Sequence, residues 1–182
     1  MSKTTWNFDT SHAEIGFTVR HMMISKVRGR FARWNGEIQL DEQDLGASQL
    51  TVRIDAASID TNEDKRDAHL RSADFFDVDN HPQLVFTSKQ VTDLGEGALR
   101  LTGDLTIRGV TREVDLDVQL EGKSKDPWGN ERIGFSAQAS INRKDFGLHW
   151  NALLETGGVV VGDKIQIGIE VELVRAAAAA AA

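Results

Sequence analysis

Residues 99–141 decide the fold, and they read LRLTGDLTIRGVTREVDLDVQLEGKSKDPWGNERIGFSAQASI. Apolar side chains occupy every second position in three segments of this stretch, and mostly polar side chains lie between them. Because side chains alternate between the two faces of a strand, each segment is predicted to be a strand with one apolar face. The short connections predict an antiparallel meander of strands near 99–107, 113–120 and 132–141.

The same alternation recurs outside the meander, near residues 6–8, 14–21, 27–40, 50–56, 84–88 and 159–174. These segments make about eight or nine strands, without the regular exchange of strands and helices that marks a parallel sheet. Long strands with internal glycines favour a barrel over a two-sheet sandwich, which is the alternative. The sequence therefore predicts an all-β fold, namely a single antiparallel eight-stranded barrel.

Two segments interrupt this pattern. Residues 62–73 are predicted to form a short helical excursion, capped by Asn62 and only weakly apolar, followed by Phe75 and Phe76, which are expected to plug the barrel. Met22, Met23 and Ile24 are three consecutive apolar residues, and they predict a bend or bulge that is covered on both faces.

Composition restricts the classes of function. The chain has 182 residues, a formal net charge of -7 and no cysteine, which excludes a disulfide framework and a thiolate metal site. Charges of both signs are interspersed, which argues against a nucleic-acid partner. No run approaches the ~20 apolar residues of a membrane span.

The two ends of the sequence carry little information about function. Residues 1–10 do not resemble a secretory signal, so the expected location is cytoplasmic, or periplasmic if a leader has been removed. The alanine tail of residues 176–182 is given no functional weight.

A search for catalytic motifs is largely negative. There is no phosphate-binding glycine loop and no nucleophile elbow, and the five histidines show no metal-ligand spacing, so neither a metal nor a cofactor is expected. One enzymatic alternative remains, in which His21 or His149 works with Asp145 as an acid–base pair on a bound lipid. Otherwise the chain is predicted not to be an enzyme.

The apolar faces allow two kinds of interior. An eight-stranded barrel is just wide enough to be filled by its own side chains or to hold one small ligand, and periodicity does not distinguish these cases. A filled core would leave an interaction scaffold. A hollow core would bind a lipid chain, with a polar cluster of Arg20, His21, Arg143 and Asp145 as candidate head-group contacts.

Several segments of the sequence, taken in order, resemble the YceI family, whose members look like lipocalins. The matching segments are 11–17, 19–22, 25–31, 74–78 with Pro82, 103–111 and 142–148. The resemblance implies one barrel over residues 4–175, a long interior pocket for a polyisoprenoid or similar lipid, and a homodimer. Many members carry an export signal, and the resemblance implies no catalytic residues.

The combined interpretation is a barrel that binds, stores or transports a long-chain isoprenoid, such as a polyprenyl phosphate or an isoprenoid quinone. The residues predicted to line its pocket are Ile15, Phe17, Val19, Phe75, Phe76, Phe86, Leu105, Ile107, Phe135, Phe146 and Trp150.

Overall fold

The computed structural model of the chain describes residues 3–154 and 158–177. Within them, one α-helix, α1 (Asp64–Arg71), accompanies a set of antiparallel strands and four short 3-10 turns. The strands are β1 (Thr4–Phe8), β2 (Glu14–His21), β3 (Ser25–Phe31), β4 (Trp34–Leu40), β5 (Gln49–Asp55), β6 (Ile59–Asp60), β7 (Gln83–Gly95), β8 (Ala98–Ile107), β9 (Val110–Lys125), β10 (Glu131–Asn142) and β11 (Val161–Arg175).

The sheet closes on itself through β11. The ring follows the order β1–β4–β5–β7–β8–β9–β10–β11, and β11 then pairs with β1. One edge of β11 pairs with β2 along residues 161–170 and with β1 along residues 173–175. The strands β2, β3 and β6 therefore extend β1, β4 and β5 along the same barrel. The predicted closed eight-stranded antiparallel barrel is confirmed, and the sandwich alternative is wrong.

The predicted meander is confirmed as β8, β9 and β10. Its apolar faces point inward together, because Leu101 pairs with Leu116 and Val118 pairs with Ala137. The turn between β8 and β9 places Arg108 and Gly109 at φ 50° and 73°, a left-handed pair that matches the twist of a two-residue hairpin.

Three neighbouring strands of the barrel are interrupted, and the sequence predicted the first of these breaks, between the segments 6–8 and 14–21. The stretch 27–40, predicted as continuous, is split at residues 32–33, beside similar breaks at 9–13 and 56–58. Hydrogen bonds join two of the breaks, since the Ala32 N–H donates to the Ser58 carbonyl at 3.1 Å. The breaks bend three adjacent strands of one wall.

The helix is shorter than predicted. It spans Asp64–Arg71, and Glu63 rather than Asn62 caps it, with a side chain that accepts from the Arg66 backbone N–H. Asn62 instead adopts φ 62°, a left-handed conformation that asparagine tolerates, and so turns the chain from β6 into the helix.

The prediction of a covered bend at residues 22–24 is wrong. Met22, Met23 and Ile24 form the exposed tip of the β2–β3 hairpin, here called the hairpin tip, with relative exposures of 41%, 53% and 84%. The Ile24 N–H donates to the His21 carbonyl at 3.3 Å, which closes a β-turn over residues 21–24 within the three-residue connection between His21 and Ser25. Both methionines are left-handed, at φ 52° and 64°.

Two buried apolar clusters divide the core. The larger includes Phe86, Leu105 and Leu148, and the smaller includes Trp6 and Leu173. We call the end that carries the smaller cluster and the turn 126–130 the Arg132 end, and the end that carries the hairpin tip and residues 143–150 the Met22 end. Within the described ranges, the structure has no helix with the length and apolar character needed to span a bilayer.

Candidate ligand-binding cavity

A cavity of about 280 Å³ lies inside the barrel. Its wall includes Leu40 and Leu173 of the smaller cluster as well as Leu105 and Leu148 of the larger one. The cavity therefore extends along the barrel axis. Its volume is close to the lower limit of known small-molecule sites, which suits one narrow ligand.

The inward-facing side chains show that this space is not filled by the protein. Ile165, Ile167 and Ile169 belong to the wall, yet they are only half-buried, as are Ala137 and Ala139 across the β10–β11 pair. Protein interiors are normally packed like organic crystals, and packed inward residues lose nearly all their accessible area. The filled-core interpretation is therefore wrong for this structure.

Glycines let large aromatic rings lie flat against the wall. A Cβ atom added at Gly29 would approach the Phe17 ring to 2.3 Å, and one added at Gly103 would approach the Phe86 ring to 2.4 Å. A side chain at either position would push the ring into the cavity. These two glycines therefore preserve the width of the interior.

The structure places nine of the eleven predicted lining residues in the wall. They are Ile15, Phe17, Val19, Phe75, Phe76, Phe86, Leu105, Ile107 and Phe135. The other two lie elsewhere, which corrects the predicted lining. Phe146 is fully buried in the larger cluster, and Trp150 packs against Phe75, with ring centroids 5.3 Å apart.

Aromatic residues after α1 cover the Met22 end. Phe76 stacks edge-on against Phe31 at 5.9 Å, while Phe75 packs against His69 at 5.0 Å. Arg108, in the β8–β9 turn, donates from Nη1 to the Phe75 carbonyl at 2.9 Å. This contact fixes the position of the two phenylalanines above the interior.

Arg143 is the one charged side chain in the wall among the described residues. It is only 2% exposed, and its guanidinium donates to the carbonyls of Leu148 (2.7 Å), Trp150 (2.9 Å) and Gly162 (2.9 Å). Burial lowers the pKa of Arg143, while the nearby Asp163 carboxylate at 3.8 Å opposes that shift. Its main structural role is to hold residues 148–150 against the start of β11.

The other predicted head-group residues lie outside the wall. Arg20 and Asp145 are exposed, and His21 is half-buried at the end of β2. The carbonyl of Asp145 accepts a hydrogen bond from Arg112 Nε at 3.1 Å. Within the described ranges, neither His21 nor the exposed His149 is bonded to Asp145, so the structure shows no acid–base pair beside the cavity.

The Arg132 end carries a network of ion pairs instead. Arg132 contacts the carboxylates of Asp9 (2.8 Å), Asp126 (2.9 Å) and Glu172 (2.8 Å). Desolvation raises the pKa of Asp126, but the hydrogen bond from Arg132 and bonds from Asn130 lower it to about 2 overall. Hydrogen bonds from Ser11 and Arg132 hold the pKa of Asp9 well below its ordinary value.

Asp9, His12 and Glu172 also lie close enough together to share a cation. The guanidinium of Arg132 already bonds to both carboxylates, and His12 Nδ1 lies 2.9 Å from Asp9. The guanidinium of Arg132 therefore already supplies a positive charge to this cluster.

The residues predicted to line the cavity omit many that form its wall. Phe8 and Trp34 pack edge-on at 5.2 Å and both line the cavity, and Leu70 of α1 reaches it as well. Strand alternation could have identified Trp34, which is in phase with Ile38. Nothing in the local sequence indicates that Leu70, on a mostly charged helix, faces the interior.

The fold and the cavity define a class of protein: a closed antiparallel β-barrel that encloses one apolar, ligand-sized space. A model of the YceI-like domain matches residues 6–173. The chain belongs to this family.

Relatives support the same assignment. A UPF0312 protein of Staphylococcus epidermidis is 36% identical over 170 residues, covering 93% of this chain and 96% of the relative. The solved YceI protein of Campylobacter jejuni is 33% identical, with a TM-score of 0.77 over 93% of this chain and 96% of that chain. A polyisoprenoid-binding domain from Saccharophagus degradans shares the fold, with 15% identity, a TM-score of 0.69 and coverage of 94% and 98%.

Proposed function

We propose that the barrel binds one long-chain isoprenoid lipid, with the hydrocarbon chain inside the cavity. The observation that carries this proposal is an elongated cavity whose wall is almost entirely apolar. The structural neighbour from Saccharophagus degradans, which is described as a polyisoprenoid-binding domain, supports the choice of ligand. The role we propose for the protein is to store or carry such a lipid.

The energetics suit an isoprenoid chain. Burial of one five-carbon unit gains about 3–4 kcal/mol, at ~0.8 kcal/mol for each buried carbon. Ordering the flexible chain offsets part of this gain, so several units give firm but limited affinity. Branched side chains such as Ile165, Ile167 and Ile169 offer a surface of similar shape to a methyl-branched chain.

The position of Arg143 supports one orientation of the ligand. It is the charged group of the described wall, and it lies at the Met22 end. Four of its hydrogen bonds go to backbone carbonyls, and its only carboxylate neighbour within 4.0 Å among the described residues is Asp163, at 3.8 Å. We place the polar end of the lipid, a phosphate or a quinone, toward this residue and the chain toward the Arg132 end.

The direct test is organic extraction of the purified protein followed by mass spectrometry, together with titration of the delipidated protein with an isoprenoid quinone and a polyprenyl phosphate. We expect a long-chain isoprenoid in the extract and saturable uptake at one site per barrel. An extract free of such lipids, combined with no uptake of either probe, would refute the proposal.

A pair of variants on one strand sharpens the test. Ala139→Phe places a ring in the cavity, whereas Gln138→Phe places the same ring on the outer face of β10. We expect the first variant to fold and to lose at least about tenfold in lipid affinity, since it removes the equivalent of several buried carbons. The second should bind as the parent does. Equal affinity in both variants would contradict binding in the cavity.

A further inference from the structure

The hairpin tip holds methionines at turn positions where that residue type is unfavourable. Its β-turn over residues 21–24 has left-handed conformations at both central positions, and Asn-Gly is the sequence that adopts them with least strain. Here the positions hold Met22 and Met23, at φ 52° and 64°. Two methionines in this conformation are strained, and their exposed side chains gain little burial in return. Such an outlier suggests a role outside the fold itself.

The tip forms part of a larger exposed apolar patch. Leu153 is 87% exposed, and the segment that carries it is tied to the tip, because the Met22 N–H donates to the Val160 carbonyl at 2.7 Å and the Val160 N–H donates to Ala152 at 3.0 Å. Met22, Met23, Ile24 and Leu153 thus protrude together from one end of the barrel. Contiguous exposed apolar groups of this kind mark interaction sites.

Positive charge borders this patch. Arg20 pairs with Lys26 in the β2–β3 register and Thr18 pairs with Arg28, so the three cations share the outer face of the hairpin. Lys164 lies on the same face, next to Gln166, which is opposite Thr18. All four are exposed, and none forms an ion pair with a carboxylate of residues 3–154 or 158–177. This concentration of cations stands out in a chain of net charge -7.

We propose that this surface docks the barrel on an anionic lipid bilayer, with the hairpin tip and Leu153 inserted among the head groups and the four cations against the lipid phosphates. Protruding apolar side chains beside Lys and Arg are the combination that binds such surfaces. The patch also adjoins the cavity, because Val19 and Val161 of the wall lie beside the tip. A lipid could thus pass between bilayer and barrel over a short path.

Charge favours a bilayer over a second copy of the chain. In a two-fold symmetric dimer through this patch, the same surface would face itself. Arg20, Lys26 and Arg28 would then approach their own counterparts, and like charges facing each other are unfavourable. An anionic membrane complements the patch instead.

The test is flotation of the purified protein with vesicles of phosphatidylcholine, with and without phosphatidylglycerol. We expect binding to the anionic vesicles, which weakens as sodium chloride screens the charges. Lys26→Gln with Arg28→Gln should reduce the partition coefficient by about tenfold or more, from the usual contribution of each cation at a membrane surface. No binding to anionic vesicles by the parent protein would overturn the proposal.

The decisive variant is Met22→Asn with Met23→Gly, which installs the favoured turn sequence and removes the apolar tip. It should fold at least as stably as the parent, so a loss of about tenfold or more in vesicle binding reports the lost insertion. Trp128→Asn, at an 81% exposed site of the Arg132 end, is the matched control and should bind unchanged.

Two results would reject the inference in different ways. Unchanged vesicle binding by the Met22→Asn, Met23→Gly variant would show that the tip does not insert. A parent dimer that this variant converts to monomer in light scattering, without vesicle binding by either protein, would identify the patch as a contact between copies. Vesicle docking does not depend on the proposed cargo, so the extraction experiment and this one can fail independently.

Discussion

The two ends of the barrel differ in how their charged side chains are paired and in how much apolar surface they expose. At the Arg132 end, cations meet carboxylates: Arg132 bridges three of them, and Arg175 contacts Glu131 at 2.6 Å while its guanidinium lies 5.3 Å from the Trp6 ring centroid. At the Met22 end, the buried Arg143 bonds mainly to backbone carbonyls, and the hairpin tip faces solvent. The first arrangement pairs its cations with carboxylates of the protein, whereas the second leaves surface for other molecules.

From this contrast we infer which residues of the barrel contribute to stability and which are available for binding. The Arg132 end closes the ring with groups that form ion pairs with one another, so its residues are expected to affect stability and its pH dependence. The Met22 end combines one strong internal anchor with strained and exposed residues, and substitutions there are expected to separate stability from binding.

The largest effect is expected for Arg143→Met. The substitution leaves the carbonyls of Leu148, Trp150 and Gly162 without their donor in a buried region, which should cost about 3–5 kcal/mol in the free energy of unfolding. Urea unfolding measures this loss. Lys144→Met, which removes a half-exposed partner of the same Asp163, is the control and should cost less than 1 kcal/mol, as is usual for a surface pair. Equal losses in the two variants would show that Arg143 contributes no more to stability than its neighbour Lys144 does.

A gain in stability is expected at the hairpin tip. Met22→Asn with Met23→Gly relieves two left-handed methionines, so the free energy of unfolding should rise by about 1–2 kcal/mol. Thermal and urea unfolding check this prediction alongside the vesicle experiment. A destabilised variant would mean that the methionines stabilise the fold, and the tip would then resemble the Arg132 end in its role.

The smallest effect is a difference in pH dependence. The folded state lowers the pKa values of Asp9 and Asp126, so both carboxylates stabilise it fully above the ordinary carboxyl pKa of 3.8. This stabilisation is lost as the pH falls through their folded pKa values, which are about 2 for Asp126 and lower for Asp9. The melting temperature should therefore fall between pH 4 and pH 2. Arg132→Met should flatten this decline, because it removes a main cause of both shifts.

The control for this prediction comes from the other end. Lys26→Gln should leave the shape of the pH profile unchanged, since Lys26 forms no ion pair within the described residues. A profile that Arg132→Met does not alter would show that other hydrogen bonds, such as those of Ser11, hold the two carboxyls ionised.

Most of the fold could be predicted from the alternation of apolar and polar residues. The alternation over residues 99–141 predicted β8, β9 and β10 with the correct inward face, because a one-residue shift would reverse every side chain. It did not reveal the breaks at 32–33 and 56–58, which depend on hydrogen bonds between neighbouring strands such as that from Ala32 to Ser58. Those contacts join residues distant in sequence and leave no local pattern.

The site was less predictable than the fold. The wall residues on strands followed from the same alternation, but whether the interior is hollow depends on summed side-chain volumes and on glycines such as Gly29 and Gly103. The partners of Arg143 are backbone carbonyls, which have no sequence signature. The hairpin tip was misread because methionine is unfavourable in the turn that it forms.

The seam between β1 and β11 has a consequence for how the protein is made. The pairs Trp6–Arg175, Asn7–Val174 and Phe8–Leu173 join these strands, which are the first and the last strand of the barrel. During translation, the seam stays open until residue 175 has left the ribosome, and β1 exposes an unpaired edge throughout that time. Chaperone demand should therefore peak late in synthesis, and a truncated chain that stops before β11 should be the form that aggregates.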